Sequence, residues 1–146
     1  MSHEIVLLTS LETHGLRLSV LRHDTPTKEV RFAEDDWPGT WHLGLRLDGE
    51  LVATSSWVPR PHDGHDEAVQ LRGMATARHL QGTGLGGVLL EAGCEEAARR
   101  GHDLVWARAR DAALTFYERH QFVVEGEGFV DEATQLPHHL ATRRLA

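Results

Sequence analysis

Several residue types are nearly missing from this sequence, and each scarcity closes off a class of answers. A single cysteine, Cys94, has no partner for an internal disulfide, so nothing implies an oxidising compartment. No apolar run approaches the roughly 20 residues that cross a bilayer. The opening Met1-Ser2-His3-Glu4 lacks the basic region and apolar stretch of a secretory signal. A cytoplasmic protein with no membrane partner is expected. Positive charge is also short: 15 Lys and Arg face 22 Asp and Glu, a net charge of −7. That balance argues against a nucleic-acid partner held by overall charge. Lysine occurs once, at Lys28, isoleucine once, at Ile5, and asparagine not at all. No repeat or Gly/Ser/Pro linker divides the chain. What remains is 146 residues, 40% hydrophobic, read as one globular domain over residues 1–146.

Periodicity gives a coarse order of elements. Leu16 to Leu21 alternates apolar and polar residues, as a half-buried strand would. Thr25-Pro26 is expected to open a short helix running to about Glu34. Leu43, Leu45 and Leu47 alternate with polar or small residues, then Asp48-Gly49 signals a tight hairpin returning along Leu51 to Val58. Pro61 to Glu67 reads as a loop, and Val69 to Thr76 as a strand that Gly73 interrupts, as at a bulge. Leu85 onward carries apolar residues at helical spacing up to Arg99-Arg100, with Gly101 as the stop. Leu104 to Ala109 is a buried strand, Ala112 to His120 a helix capped by Asp111, and Phe122 to Val124 and His139 to Leu145 closing strands. The strand–helix–strand crossover requires a parallel pair. The class is therefore α/β, with a mixed sheet.

The segment with chemical content is Gln81-Gly82-Thr83-Gly84-Leu85-Gly86-Gly87, between a strand and a helix. Glycines there let backbone N–H groups face one concavity, and the helix N-terminus adds unpaired donors and partial positive charge. Such a turn suits a phosphate or pyrophosphate. Two ligands compete. Gly82, Gly84 and Gly87 formally spell G-x-G-x-x-G with Asp103 about 20 residues on, as in a nicotinamide-dinucleotide site. Against it, Thr76 to Gln81 separate strand from turn, and too little chain follows for a second nucleotide-binding half.

A resemblance supplies the other ligand. Gln81-x-x-Gly84-x-Gly86 resembles the Q/R-x-x-G-x-G/A pyrophosphate motif of the GNAT superfamily of N-acetyltransferases. Ala113 to Phe122, reading ALTFYERHQF, is similar to the family's A-x-x-F-Y-E-x-x-G-F. Leu71 to Thr76 resembles the preceding strand, and Gly126-Glu127-Gly128-Phe129 with Pro137-His138 resembles the tail of small bacterial members. The likeness covers roughly Leu71 to His138. It implies a mixed, mainly antiparallel sheet with a central splayed parallel strand pair and flanking helices. It also implies acetyl-CoA as acetyl donor, no metal, and an amine acceptor; a homodimer is kept open as a further partner. Two positions depart from the pattern. Arg110 stands where an Asn usually helps hold the pantetheine, and Gln121 where Gly precedes the last Phe, at a cost of about 1 kcal/mol.

By the same resemblance, backbone groups of Met74, Ala75 and Thr76 pair with the pantetheine arm. The amides from Gly82 through Thr83, Gly84, Leu85 and Gly86 to Gly87 take the pyrophosphate, with Gln81, Arg110, Ala113 and Phe116 beside the cofactor. A neutral amine attacks the thioester directly, and Tyr117, the one tyrosine, serves the leaving thiolate. The base stays open between Glu127 and His138, with a water chain as a third route. Cys94 sits mid-helix without a His or Asp to activate it, and reads as a small buried hydrophobe. His62, Asp63, His65 and Asp66 lie together on one polar loop and read as solvent-facing rather than as a metal site. Acidic clusters at Glu34 to Asp36, Asp63 to Glu67 and Glu125 to Glu132 suggest a cationic amine, though solubility explains them equally. A second reading keeps the cofactor and drops efficient catalysis, since Arg110 departs from the pattern and no base is fixed.

Overall fold

A computed structural model describes residues 2–145. The outermost domain bounds expected from sequence, Met1 and Ala146, lie outside the described residues. Seven strands form one sheet in the order β1-β2-β3-β4-β5-β7-β6. These are β1 (His3–Leu8), β2 (Trp41–Leu47), β3 (Glu50–Pro59), β4 (Val69–Thr76), β5 (Leu104–Arg110), β6 (Val123–Val130) and β7 (Pro137–Arg144). All neighbours pair antiparallel except β4 and β5. The helices are α1 (His14–Leu16), α2 (Leu85–Arg99) and α3 (Leu114–Arg119). Among the described residues, no helix is long and apolar enough to cross a membrane.

The hairpin forms where Asp48-Gly49 asks for it, with φ of 50° and 87° at the two residues. Alternation along β3 then sorts the two faces of the sheet. Trp57 is fully buried and stacks on Trp41 at 5.0 Å. Gly93 of α2 sits against the same ring so closely that a Cβ there would lie 1.9 Å from Trp57 Cζ2. Leu45, Leu89, Leu90 and Val105 complete this core. Ser56, the next residue back, faces the opposite side. There Arg17 gives both terminal nitrogens to Asp35 at 2.8 and 2.9 Å, and one of them also to the Ser56 hydroxyl at 2.7 Å. Ser56 in turn meets His42 Nδ1 at 2.7 Å. One face is packed by a helix, the other by a buried ion pair.

Two stretches depart from the sequence reading. Leu16 to Leu21 is helical, not a strand: α1 runs into a π-helical turn at Arg17–Leu21, closed by the Arg22 N–H on the Arg17 carbonyl at 3.0 Å. The alternation misled because Arg17 is buried and Leu18 exposed, so the polar residue faces inward. Thr25 to Glu34 is not a helix; only a 3-10 turn forms at Ala33–Asp36. Lys28 Nζ instead ties the chain by donating to the Arg22 carbonyl at 2.5 Å. Strand β1 was not anticipated, and β7 inserts between β5 and β6, which element order alone does not reveal.

Candidate active site

The site begins where the parallel pair fails. Strands β4 and β5 pair only at Val69↔Val105 and Gln70↔Trp106. Beyond Gln70 an extra residue enters β4, because Ser56 opposes Arg72 while Thr54 opposes Ala75. The bulge is built on Gly73, with φ of 62°. A Cβ there would press on Arg17 Nε at 3.1 Å and on the Phe32 ring at 3.2 Å, so both backbone and packing exclude one. The strands diverge past this point, and a cavity opens on each side of the gap.

The first cavity holds about 1000 Å³. Met74, Ala75 and Thr76 line its β4 wall, Gln81, Gly82, Gly84, Gly86 and Gly87 its mouth, and Ala113, Phe116 and Tyr117 the far side. Helix α2 starts at this mouth without any side-chain cap. Its first amides, from Gly84 to Gly87, therefore retain the donors that every helix start leaves over. The glycines divide into two kinds. A Cβ on Gly82 or Gly84 would meet nothing within 4 Å, and both have positive φ. A Cβ on Gly86 or Gly87 would strike Thr76 Oγ1 at 2.9 Å or His120 Nε2 at 2.6 Å. The first two keep space open for a ligand, while the second two let the helix dock. Gln81 folds back to donate to the Thr76 carbonyl at 3.0 Å, and Thr83 Oγ1 bonds the Leu80 carbonyl at 2.5 Å. Thr83 and Leu85 do not line the cavity.

The second cavity, about 250 Å³, lies across the gap. Arg110 belongs here and not to the first cavity; its Nη2 donates to the Leu21 carbonyl at 2.5 Å. His138, from β7, also lines it and is buried. Its Nδ1 lies 2.8 Å from the Leu136 carbonyl, which can only accept. Nδ1 therefore carries a proton, and in the neutral ring the lone pair is on Nε2. Glu127 is exposed where the β6–β7 register breaks between Glu125 and Phe129, and it lines neither cavity. Tyr117 lines both cavities. Phe116 and Phe122 meet its ring edge-on at 5.2 Å each. Burial, with the Cys94 thiol nearby, pushes its phenol above the usual range, so it remains a donor at any physiological pH. Burial likewise pushes the Cys94 thiol up to about 11, which removes it as a thiolate nucleophile.

Sequence reasoning missed the residues that crowd this second cavity: Arg22, Phe32, Arg72, Arg108 and Asp131. One signal was available on β4, where polar Gln70 and Arg72 alternate inside an otherwise apolar strand. Asp131 accepts from Arg108 at 2.9 Å and from the Ala133 and Thr134 amides. Burial alone would raise its pKa, but Arg108 and the Thr134 amide outweigh that and hold it at about 2.

A mixed sheet opened at one parallel pair, with a helix start at the opening, is the architecture of an acyltransferase fold. The chain belongs to the Acetyltransferase (GNAT) family, whose sequence profile matches residues 9–122, and it is an acyltransferase. The uncharacterised N-acetyltransferase YitI of Bacillus subtilis (strain 168) is 28% identical over 128 residues, 86% of each chain. An acyl-CoA N-acyltransferase from Pseudomonas aeruginosa superposes with a TM-score of 0.78 at 25% identity, covering 97% of this chain and 99% of that one. An aminoglycoside 6'-N-acetyltransferase complexed with coenzyme A superposes at 0.75 with 13% identity, covering 98% and 97%.

Proposed function

We propose that this chain transfers an acetyl group from acetyl-CoA to a primary amine by direct attack in a ternary complex. The observation that carries the reading is Tyr117, which with Met74 and Ala113 lines both cavities, so donor and acceptor can meet beside it. Acetyl-CoA would supply the activated acyl group. The open backbone at Gly82 and Gly84 and the uncapped start of α2 suit its pyrophosphate. The β4 edge from Met74 to Thr76, unpaired past Gln70, offers main-chain groups to the pantetheine arm and an N–H for the developing oxyanion. Ala113 and Phe116 would flank the arm. Tyr117 donates a hydrogen bond to the sulfur as charge builds there. Its phenol is a weaker acid than a thiol, so the bond stabilises the leaving group ahead of full proton transfer. His138 presents its Nε2 lone pair as the acceptor for the ammonium proton. Glu127 would act only through water, given its exposure. Arg110 would serve the acceptor side.

Calorimetric titration with acetyl-CoA and with NAD tests the donor. Saturable acetyl-CoA binding with none of NAD is expected, and the reverse overturns the proposal. A thiol-release assay over polyamines, amino acids, aminoglycosides and N-terminal peptides tests the transfer itself. Binding without turnover across that panel would favour a cofactor-binding module.

A further inference from the structure

The second cavity carries more positive charge than the carboxylates around it answer. Arg22, Arg72, Arg108 and Arg110 line it, and Asp131 is its one lining carboxylate. Two of the four are matched, Arg72 by Glu34 and Arg108 by Asp131. Arg110 spends Nη2 on a backbone carbonyl and reaches the exposed Asp24 only at 3.8 Å. Arg22 is buried at 9% exposure, and no carboxylate of the described residues lies within ion-pair distance of it. Its Nε donates to the Glu29 carbonyl at 3.0 Å, the one hydrogen bond its guanidinium makes among the described residues. Burial, then the like charges of Arg110 and Arg72, pull its pKa down and outweigh the attraction of Asp131, so the free protein holds this cation at a cost. A buried charge without a counter-ion is unfavourable unless something else completes it.

We propose that the amine acceptor carries a carboxylate, held by the terminal nitrogens of Arg22 with Arg110 beside it, so that the substrate is amino-acid-like. The proposal rests on the acetyl transfer assigned above and names the acceptor that site takes. The cavity has the volume of roughly eight water molecules at ~30 Å³ each, a space for one small molecule. His138 and Tyr117 line the same space, so the amine and the carboxylate of one molecule can be addressed together. Three carboxylates of the acidic clusters are already committed to arginines and are not free to attract a cationic acceptor. Glu34 is taken by Arg60 and Arg72, Asp35 by Arg17, and Asp131 by Arg108. An Arg fork suits a planar carboxylate in two-point contact.

The test is steady-state thiol release with acetyl-CoA and the twenty L-amino acids, each beside its α-amide, and with phosphoethanolamine beside ethanolamine. At least one acid should exceed its amide by roughly 10-fold to 100-fold in kcat/KM, the scale of a charge-assisted pair. Arg22→Met should erase that preference with the KM for acetyl-CoA unchanged, and Arg22→Lys should restore part of it. Calorimetry of N-acetyl amino acids against the CoA-loaded protein gives a readout that needs no turnover. The proposal is overturned if amides match acids, or if phosphoethanolamine outruns every carboxylate. It also fails if Arg22→Met lowers acid and amide turnover alike, or if no acid turns over and no N-acetyl amino acid binds. Failure of acetyl-CoA itself to bind would instead refute the acetyl-transfer reading.

Discussion

On one side of Tyr117 the cavity mouth is made by one short segment, the glycine-rich turn from Gln81 to Gly87. On the other side the wall is gathered from six places: Leu21 and Arg22, Phe32, the Gln70 to Met74 bulge, Ala107 to Arg110, Ala113 with Tyr117 itself, and Asp131 to His138. The first side works through backbone amides, which any sequence with enough glycine can present. The second works through side chains, which must be brought together by the fold. A ligand common to a whole family can be met by main chain alone, whereas a ligand particular to one member needs side chains from scattered positions. That contrast predicts where substitutions separate binding of donor from choice of acceptor.

The largest effect should come from Gly84→Asp. A Cβ at Gly84 enters open space, so the protein folds, with strain of about 1 kcal/mol from the positive φ. The added carboxylate sits where the proposed pyrophosphate docks and repels it. Acetyl-CoA affinity by calorimetry should fall by at least roughly 100-fold, while circular dichroism stays native. Retained affinity would mean that the uncapped start of α2 is not the phosphate site.

Asp35→Asn attacks the other side through its scaffold. It leaves Arg17 buried with no counter-ion, and breaking such a pair costs about 3–5 kcal/mol. Burial raises the Asp35 pKa, but Arg17 and the Phe32 amide lower it further. A carboxyl depressed in the folded state stabilises above its unfolded pKa, about 4, and loses that contribution as pH falls through the folded value. Urea midpoints should therefore drop between pH 5 and pH 2 in the parent, and Asp35→Asn should lose the Asp35 share of that drop while Glu34, Glu91 and Asp131 keep theirs.

Between the two cavities lies Tyr117→Phe. The ring contacts with Phe116 and Phe122 survive, and only the donor is lost. We expect kcat to fall roughly 10²-fold with little change in melting temperature or in acetyl-CoA affinity. An acyl donor with a better leaving thiol should shrink the deficit. Unchanged kcat with a lower melting temperature would assign the hydroxyl to packing.

How much of this was legible follows the same division. The glycine turn, the Gly73 bulge, the Asp48-Gly49 hairpin and α2 are all specified by neighbours in sequence, and each was readable there. The Arg17 to Asp35 region was not. Its strand and helix signals came from local pattern, while the segment is tied in place by one buried arginine that reaches Asp35, Ser56 and the Val30 carbonyl. Local pattern cannot register a polar side chain satisfied 18 or 39 residues away. Arg110 shows the same limit. Its place in the motif implied the cofactor side, yet its guanidinium turns to the Leu21 carbonyl 89 residues distant in the chain.

Gln121 gives the smallest expected effect and the sharpest check on what a motif specifies. The family pattern has Gly here, and the chain keeps the conformation without the residue: Gln121 has φ of 67°, and its N–H bonds the Glu118 carbonyl at 3.2 Å to close α3. A non-glycine residue in this region costs about 1–2 kcal/mol, while glycine gives back roughly 0.5–1 kcal/mol in unfolded-state entropy. Gln121→Gly should therefore stabilise by about 0.5–1 kcal/mol, a rise of roughly 2–4 °C in Tm for a chain of this size. The side chain is exposed and lines neither cavity, so kcat and both KM values should stay within twofold, about ±0.4 kcal/mol. If Tm is unchanged or falls, the Gln side chain stabilises the end of α3 in a way that offsets its backbone. If Tm rises and kcat moves as well, the turn after α3 sets the position of Tyr117, and the motif glycine belongs to catalysis as much as to folding.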